Sequence, residues 1–138
     1  MTKLMGENLL RATCTIPTVV LRFGIVYGPR LKPGSAPESI VLQVSRGEVV
    51  KIGAGGTSRR FIYVEDLIEG IHAAVKSSEN LAYEVFNLSG DELLSLAEIA
   101  ETSMRLTKRG VQVVDGGLSP SIRNPDPSKF MDEFQFQS

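Results

Sequence analysis

The chain reads as an α/β protein with parallel strand pairing. Three observations predict this. Helical and strand-like stretches alternate along its length. The strand-like stretches are short and rich in Val, Ile and Leu. One of them stops abruptly at a Tyr-Gly-Pro-Arg turn, and another opens on a pair of arginines. Strands that end in this way are how open α/β sheets present a ligand crevice at their carboxyl edge.

Thr2 to Thr13 is expected as a helix with Leu4, Met5, Leu9 and Ala12 on one side, stopped by Pro17. Thr18 to Phe23 follows as a buried strand, which Tyr27-Gly28-Pro29-Arg30 cannot continue. Leu31 to Pro37 holds two prolines and a glycine and is a loop. Glu38 to Arg46 is a short helix, acidic at its start, with Ile40, Val41 and Val44 inward. Arg46 and Gly47 close it, an order that suits the macrodipole and a glycine C-cap. Val49 to Ile52 and Arg60 to Val64 are strands, and Gly53-Ala54-Gly55-Gly56 between them is expected as a hairpin-like turn. The dinucleotide fingerprint needs spaced glycines between a strand and a helix, so this cluster is not one.

Glu65 or Asp66 opens the next helix, to about Lys76, with Asp66 the expected N-cap and Leu67, Ile71, Ala74 and Val75 on one face. Tyr83 to Leu88 alternates like a strand. Ser95-Leu96-Ala97-Glu98 is a capping box, its helix running to about Leu106 or Lys108 with Gly110 just beyond. Val111 to Val114 is a further strand. Gly116-Gly117 and prolines 120, 125 and 127 keep the rest irregular, and Ser128 to Phe136 is either one more helix or a tail.

Composition narrows the functional classes. The 138 residues are 42% hydrophobic and 22% charged, with a net charge of −1, which is ordinary for a soluble globular domain. Near-neutral charge without a basic face argues against nucleic acid as a partner. The single cysteine, Cys14, excludes an internal disulfide and a cysteine metal cluster, and fits a reducing compartment. His72 lies mid-helix without a ligand partner, so no metal site is expected. No apolar run approaches the roughly 18 residues of a membrane span. The opening residues lack a signal-peptide core, which makes the cytoplasm the expected location.

Two stretches carry most information: Leu21-Arg22-Phe23-Gly24-Ile25-Val26-Tyr27-Gly28-Pro29-Arg30 and Arg59-Arg60-Phe61-Ile62-Tyr63-Val64-Glu65-Asp66. The first resembles the Leu-Arg-x-x-Asn-Val-Tyr-Gly-Pro-Arg stretch of the extended short-chain dehydrogenase/reductases, the family of NAD-dependent nucleotide-sugar epimerases and dehydratases. The second resembles that family's Arg-Asp-Phe-x-Tyr-Val-x-Asp. The resemblance runs from Lys3 to about Lys129. It implies the C-terminal part of a Rossmann-like fold plus its small substrate-binding α/β region. Residues 1–30 would be the last helix and strand of the Rossmann part. Residues 31–138 would be mainly substrate-binding, with 83–88 returning to the main sheet.

The resemblance also implies roles. Thr2-Lys3-Leu4-Met5-Gly6-Glu7 looks like the helix that begins with the family's Tyr-x-x-x-Lys motif, and Lys3 takes the lysine's place. That catalytic lysine bonds the nicotinamide ribose and lowers the tyrosine's pKa, ordinarily about 10. The matching tyrosine position would fall two places before Met1. Four residues after Tyr27, Tyr63 and Tyr83 come Leu31, Leu67 and Asn87, so none supplies a substitute.

Phe23 and Gly24 match residues along the nicotinamide. Ile25 stands where the family has a substrate-reaching Asn. Val50, Lys51 and Ile52 match the positions that line the nucleotide base. Arg59 matches the arginine that grips the pyrophosphate, work suited to a planar, two-pronged guanidinium. Arg60 replaces an Asp. Arg123, in Arg123-Asn124-Pro125-Asp126-Pro127-Ser128-Lys129, matches an arginine that makes a second phosphate contact.

The expected cofactor is NAD or NADP, and the expected partner a nucleotide sugar. The resemblance implies pairing of two copies through the first helix, and the uncovered apolar face of that helix and flank of the first strand predict poor solubility, self-association or domain swapping. Two other readings stay open. One is a reductase or dehydrogenase of the same superfamily on a non-sugar substrate, favoured by Ile25. The other is a non-catalytic binding or assembly module.

Overall fold

The computed structural model describes residues 2–77 and 81–137. Its elements run α1 (Thr2–Thr13), β1 (Thr18–Phe23), β2 (Ile25–Tyr27), α2 (Ala36–Arg46), β3 (Val50–Ile52), β4 (Ser58–Tyr63) and α3 (Val64–Ser77). Then come β5 (Tyr83–Leu88), β6 (Leu93–Ser95), α4 (Leu96–Thr107), β7 (Val113–Asp115), β8 (Ile122–Arg123) and α5 (Ser128–Phe134). This is the mixed α/β architecture expected, with parallel pairing dominant.

Three sheets form. β1 pairs with β5 in parallel, Thr18 opposite Tyr83 and Phe23 opposite Leu88. β4 is the hub of the second: parallel to β2, antiparallel to β6 and parallel to β8. β3 pairs in parallel with β7. The chain passes from the first sheet to the second at Gly24, whose N–H still donates to Leu88 O at 2.9 Å. A Cβ there would lie 2.7 Å from Ser89 Cβ and 2.9 Å from Arg60 O, so only glycine allows the crossing.

Two cores hold the elements. Ile62, Leu67, Ala74, Phe86, Leu88, Phe130 and Phe136 fill the first, between β4, β5, α3 and the C-terminal segment. Ile40, Val44, Val50, Ile52 and Ala100 fill the second, between α2, β3 and α4.

Several expectations are corrected. The turn at Gly53–Gly56 joins strands that do not pair with each other, because β3 takes β7 as its neighbour. The Asp115 carboxylate holds the turn by accepting from Gly55 N–H at 2.8 Å. Asp66 is not an N-cap: Val64 is already helical, which puts Asp66 in the first turn of α3. Val41 and Val75 do not point inward and are 47% and 69% exposed. Ile40 and Val44 take the inner line of α2, and Leu67, Ile71 and Ala74 that of α3, so each valine falls about 100° further round. β2, β6 and β8 have two or three residues each and carry no periodic signal.

Other expectations hold. Ser95 caps α4 reciprocally with Glu98, Ser95 N–H donating to Glu98 Oε2 at 2.7 Å and Glu98 N–H to Ser95 Oγ at 3.2 Å. Gly47 closes α2 in the left-handed region, φ 72°. At the end of α4 that conformation falls on Lys108 rather than at Gly110.

Candidate functional site

Strand alternation sets the first geometry. Ile25 is the partner of Phe61 across β2 and β4, and Arg59 lies two residues before Phe61 on the same face of β4, about 7 Å along the strand. Phe23, 51% exposed, ends β1 immediately before the Gly24 crossing. The carboxyl end of β1 and the arginine end of β4 are therefore neighbours.

The second geometry is a pair of cations. β4 and β8 place Arg59 and Arg123 in register on parallel strands, so both side chains leave the same face. Arg59 Nη1 donates to Ser58 O at 2.7 Å and to Ser121 O, while Nη2 donates to Ser121 Oγ at 3.1 Å. Arg60, alternating to the other face, donates through Nε to Asn124 Oδ1 at 2.6 Å and through Nη1 to Gly90 O at 3.2 Å and to Asp91 O.

Lys3 is exposed in the first turn of α1. Its helix is docked on β1 one turn later: Arg22 donates to Glu7 through Nε at 3.0 Å and Nη2 at 2.6 Å, and Tyr83 OH donates to Glu7 O at 2.8 Å. The bond from Arg22 holds the Glu7 carboxyl below its ordinary range and raises the Arg22 guanidinium in turn. Sequence reasoning did not single out this pair, although Arg22 lies within the most informative stretch. Val50 and Ile52 face the second core, leaving Lys51 exposed, its N–H donated to Gln43 Oε1 at 3.2 Å.

A larger groove, about 890 Å³, opens beside this row. Tyr27, Phe61 and Tyr63 contribute its sheet side, Val41 its α2 side, and Ile99 and Leu106 its α4 side. That volume is in the range of small-molecule pockets. The Tyr27 and Tyr63 rings sit 5.5 Å apart, and burial, then the nearby Asp66 charge, pushes the Tyr27 phenol up. None of the residues given a binding or catalytic role from the sequence lines this groove, although Tyr27–Arg30 and Phe61–Tyr63 of the two informative stretches do. Its walls come from elements far apart in the chain, which no local pattern joins.

Glu38 braces the groove's loop. Its carboxylate accepts from Gly28 N–H at 3.1 Å, Ser35 N–H at 3.0 Å and Gly34 N–H, and pairs with Arg30 Nε at 2.9 Å. These bonds, Gly34's first, hold the carboxyl below its ordinary value. Among the described residues no cluster of three or more His, Cys, Asp or Glu side chains is placed to hold a metal, and no helix is long and apolar enough to cross a membrane.

Parallel strand pairing flanked by helices, with Phe23 exposed at the carboxyl end of β1, places the fold in the doubly wound α/β class. The chain belongs to the NAD dependent epimerase/dehydratase family, whose model matches residues 1–89. It is 37% identical over 102 residues to an uncharacterized UDP-glucose epimerase, YtcB, of Bacillus subtilis, covering 71% of this chain and 32% of that protein. It is 33% identical over 89 residues to a UDP-glucuronate 4-epimerase of Thermodesulfobacterium geofontis, covering 63% of this chain and 27% of that one. In three dimensions it is similar to the UDP-glucuronic acid 4-epimerase of Bacillus cereus, solved in complex with UDP-glucuronic acid and NAD. The TM-score is 0.82 at 29% identity, over 99% of this chain and 46% of that one. The chain thus spans about a third of the curated relatives' lengths and less than half of the solved structure's.

Proposed function

We propose that this chain forms the substrate-side part of an NAD(P)-dependent enzyme acting on a nucleoside-diphosphate sugar, as its epimerase relatives are named for doing. The observation that carries the reading is the in-register pair Arg59 and Arg123. Two arginines in register on one sheet face suit a diphosphate, which offers paired oxygens to two planar forks. Ile25, on the same face, stands toward the sugar, and Val50, Lys51 and Ile52 toward the base.

Phe23 and Lys3 fit a nicotinamide riboside: an exposed aromatic ring at a strand's carboxyl end and an exposed ammonium on the helix docked beside it. When bound, the nicotinamide supplies hydride chemistry at a sugar carbon. Lys3 holds the ribose hydroxyls, Gly24 keeps the backbone close to the ring, and the arginines hold the diphosphate so that remote binding energy orients the sugar. Residues 1–30 together with 83–88 then form the cofactor-side portion, and the remainder of 31–138 mainly the substrate side. The exposed apolar side chains of α1, Leu4, Met5 and Leu9, are where we expect a second copy to pair.

Calorimetry with UDP and with uridine tests the diphosphate subsite. UDP is expected to bind and uridine to bind at least about tenfold more weakly, with Arg59→Gln erasing the difference. Equal affinities in the unsubstituted chain would refute the assignment.

A further inference from the structure

Arg123 lies between two anchored residues. On one side, Ser121 is held by Arg59, by Ser58 N–H donating to Ser121 O at 3.1 Å, and by its own N–H on Thr57 Oγ1 at 3.3 Å. On the other side, Asn124 is held by Arg60. The two anchors differ in what a ligand does to them. Arg59 shares its face with Arg123, so a diphosphate that takes its N–H groups competes with Ser121 for the same donors. Arg60 alternates to the opposite face and spends its guanidinium on Asn124, Gly90 O and Asp91 O, where a ligand between the two paired arginines does not reach. A ligand therefore loosens the guanidinium part of the first anchor, leaving Ser121 its bonds to Ser58 and Thr57, and spares the second.

We propose that Arg60 is a positioning residue, holding Arg123 beside Arg59 while Arg59 is engaged by the diphosphate; this rests on the diphosphate reading given above. Arg60 spans three acceptors on two segments, the loop after β5 and the residue after β8. A planar fork does this and a lysine does not: an ammonium is a single point of charge on a flexible stem. The residue touches no ligand. It acts through the place it gives Arg123.

The test is a double-mutant cycle on the full 138-residue chain, with UDP affinity measured by calorimetry and folding checked by circular dichroism. Arg60→Met is expected to weaken UDP binding about tenfold, by the same factor as Arg123→Gln, and the double variant to be no weaker than either single one. Arg60→Lys is expected to fall with Arg60→Met. Asn124→Leu, which leaves every charge in place, is expected to reproduce the loss and serves as the second variant should Arg60→Met fail to fold. The positioning role is overturned if Arg60→Met costs the same factor in the Arg123→Gln background as alone, if Arg60→Lys keeps full affinity, or if Asn124→Leu binds UDP normally. A different result, UDP binding that is absent or indifferent to Arg59→Gln, overturns the diphosphate reading itself and this role with it.

Discussion

Arg59 and Arg123 stand side by side across parallel strands, two cations in register on one sheet face. Like charges in neighbouring strands repel. Ser121, just before β8, offsets part of this by accepting from the Arg59 guanidinium through its carbonyl and hydroxyl oxygens. The pair is better satisfied with an anion between its members than without one. Arg123→Gln is therefore expected to raise stability in the absence of ligand, by about 0.2–1 kcal/mol at low salt. The gain should shrink at high salt as screening removes the repulsion. The same substitution should weaken UDP binding. Urea unfolding at two ionic strengths, with and without UDP, reads both signs; a loss of stability without ligand would contradict the account.

Gly24 and Gly90 hold the crossing between sheets in place. A Cβ on Gly90 would sit 2.0 Å from Phe61 O, a backbone atom that cannot move without breaking β4. Gly90→Ala and Gly24→Ala are each expected to cost about 1–3 kcal/mol or more. Gly6, inside exposed α1 with nothing within 4 Å of its would-be Cβ, is the contrast. There an alanine is expected to stabilise by about 0.5–1 kcal/mol through helix propensity. Chemical denaturation of the three variants checks the order.

These glycines show what the sequence made legible. Periodicity and capping chemistry mark α1 to α4 and the longer strands among the described residues, and leave helix and tail open for α5. Ser95 and Glu98 announced their cap because a capping box is a local pattern. The Gly24 crossing was not legible, because what forbids a side chain there is Ser89, sixty-five positions away. Arg59 and Arg123 each stood out singly. Their adjacency depends on β8, two residues long and fixed by long-range bonds to Arg59 and Thr57. The groove at Tyr27 was hidden for the same reason.

Glu38 gives the chain an acid sensitivity of known sign. Its carboxyl is held below the ordinary 4.5 by the Gly34 N–H first, then those of Gly28 and Ser35, and by Arg30. A group depressed in the folded state contributes its full stability above the unfolded value and loses it as pH falls through the folded one. Glu7, Glu84, Glu98, Asp115 and Asp126 shift in the same direction. The urea midpoint is expected to be flat down to about pH 5 and to fall below it. Glu38→Gln should lower the midpoint at neutral pH and make the acid drop shallower. An unchanged acid slope would remove Glu38 from the set.

Phe130 decides whether the C-terminal segment belongs to the fold. Its ring is 1% exposed and lies 4.7 Å from Phe134, 5.4 Å from Phe136 and 6.0 Å from Phe86. Phe86 and Leu88 are buried in the same cluster, so the segment closes the first core. Phe130→Ala is expected to cost about 3–5 kcal/mol, the penalty of a large core cavity. A loss under 1 kcal/mol in urea would mean that the core closes without α5.

Hydride transfer needs a proton acceptor at the sugar hydroxyl, and the chain's own tyrosines are committed elsewhere. The Tyr83 hydroxyl donates to Glu7 O at 2.8 Å beneath α1. The Tyr27 phenol is pushed up by burial and by Asp66, the wrong direction for a base at neutral pH. Tyr63 faces the apolar groove with Tyr27, and Leu67, not lysine, follows it four residues on. The 138-residue polypeptide is therefore expected to bind UDP-sugars without turning them over. With NAD⁺ and UDP-glucose or UDP-glucuronate, absorbance at the nicotinamide band and proton NMR of the sugar should show neither reduction nor epimerisation above background. Turnover abolished by Tyr63→Phe would instead make Tyr63 the acid/base and move the reacting carbon into the groove.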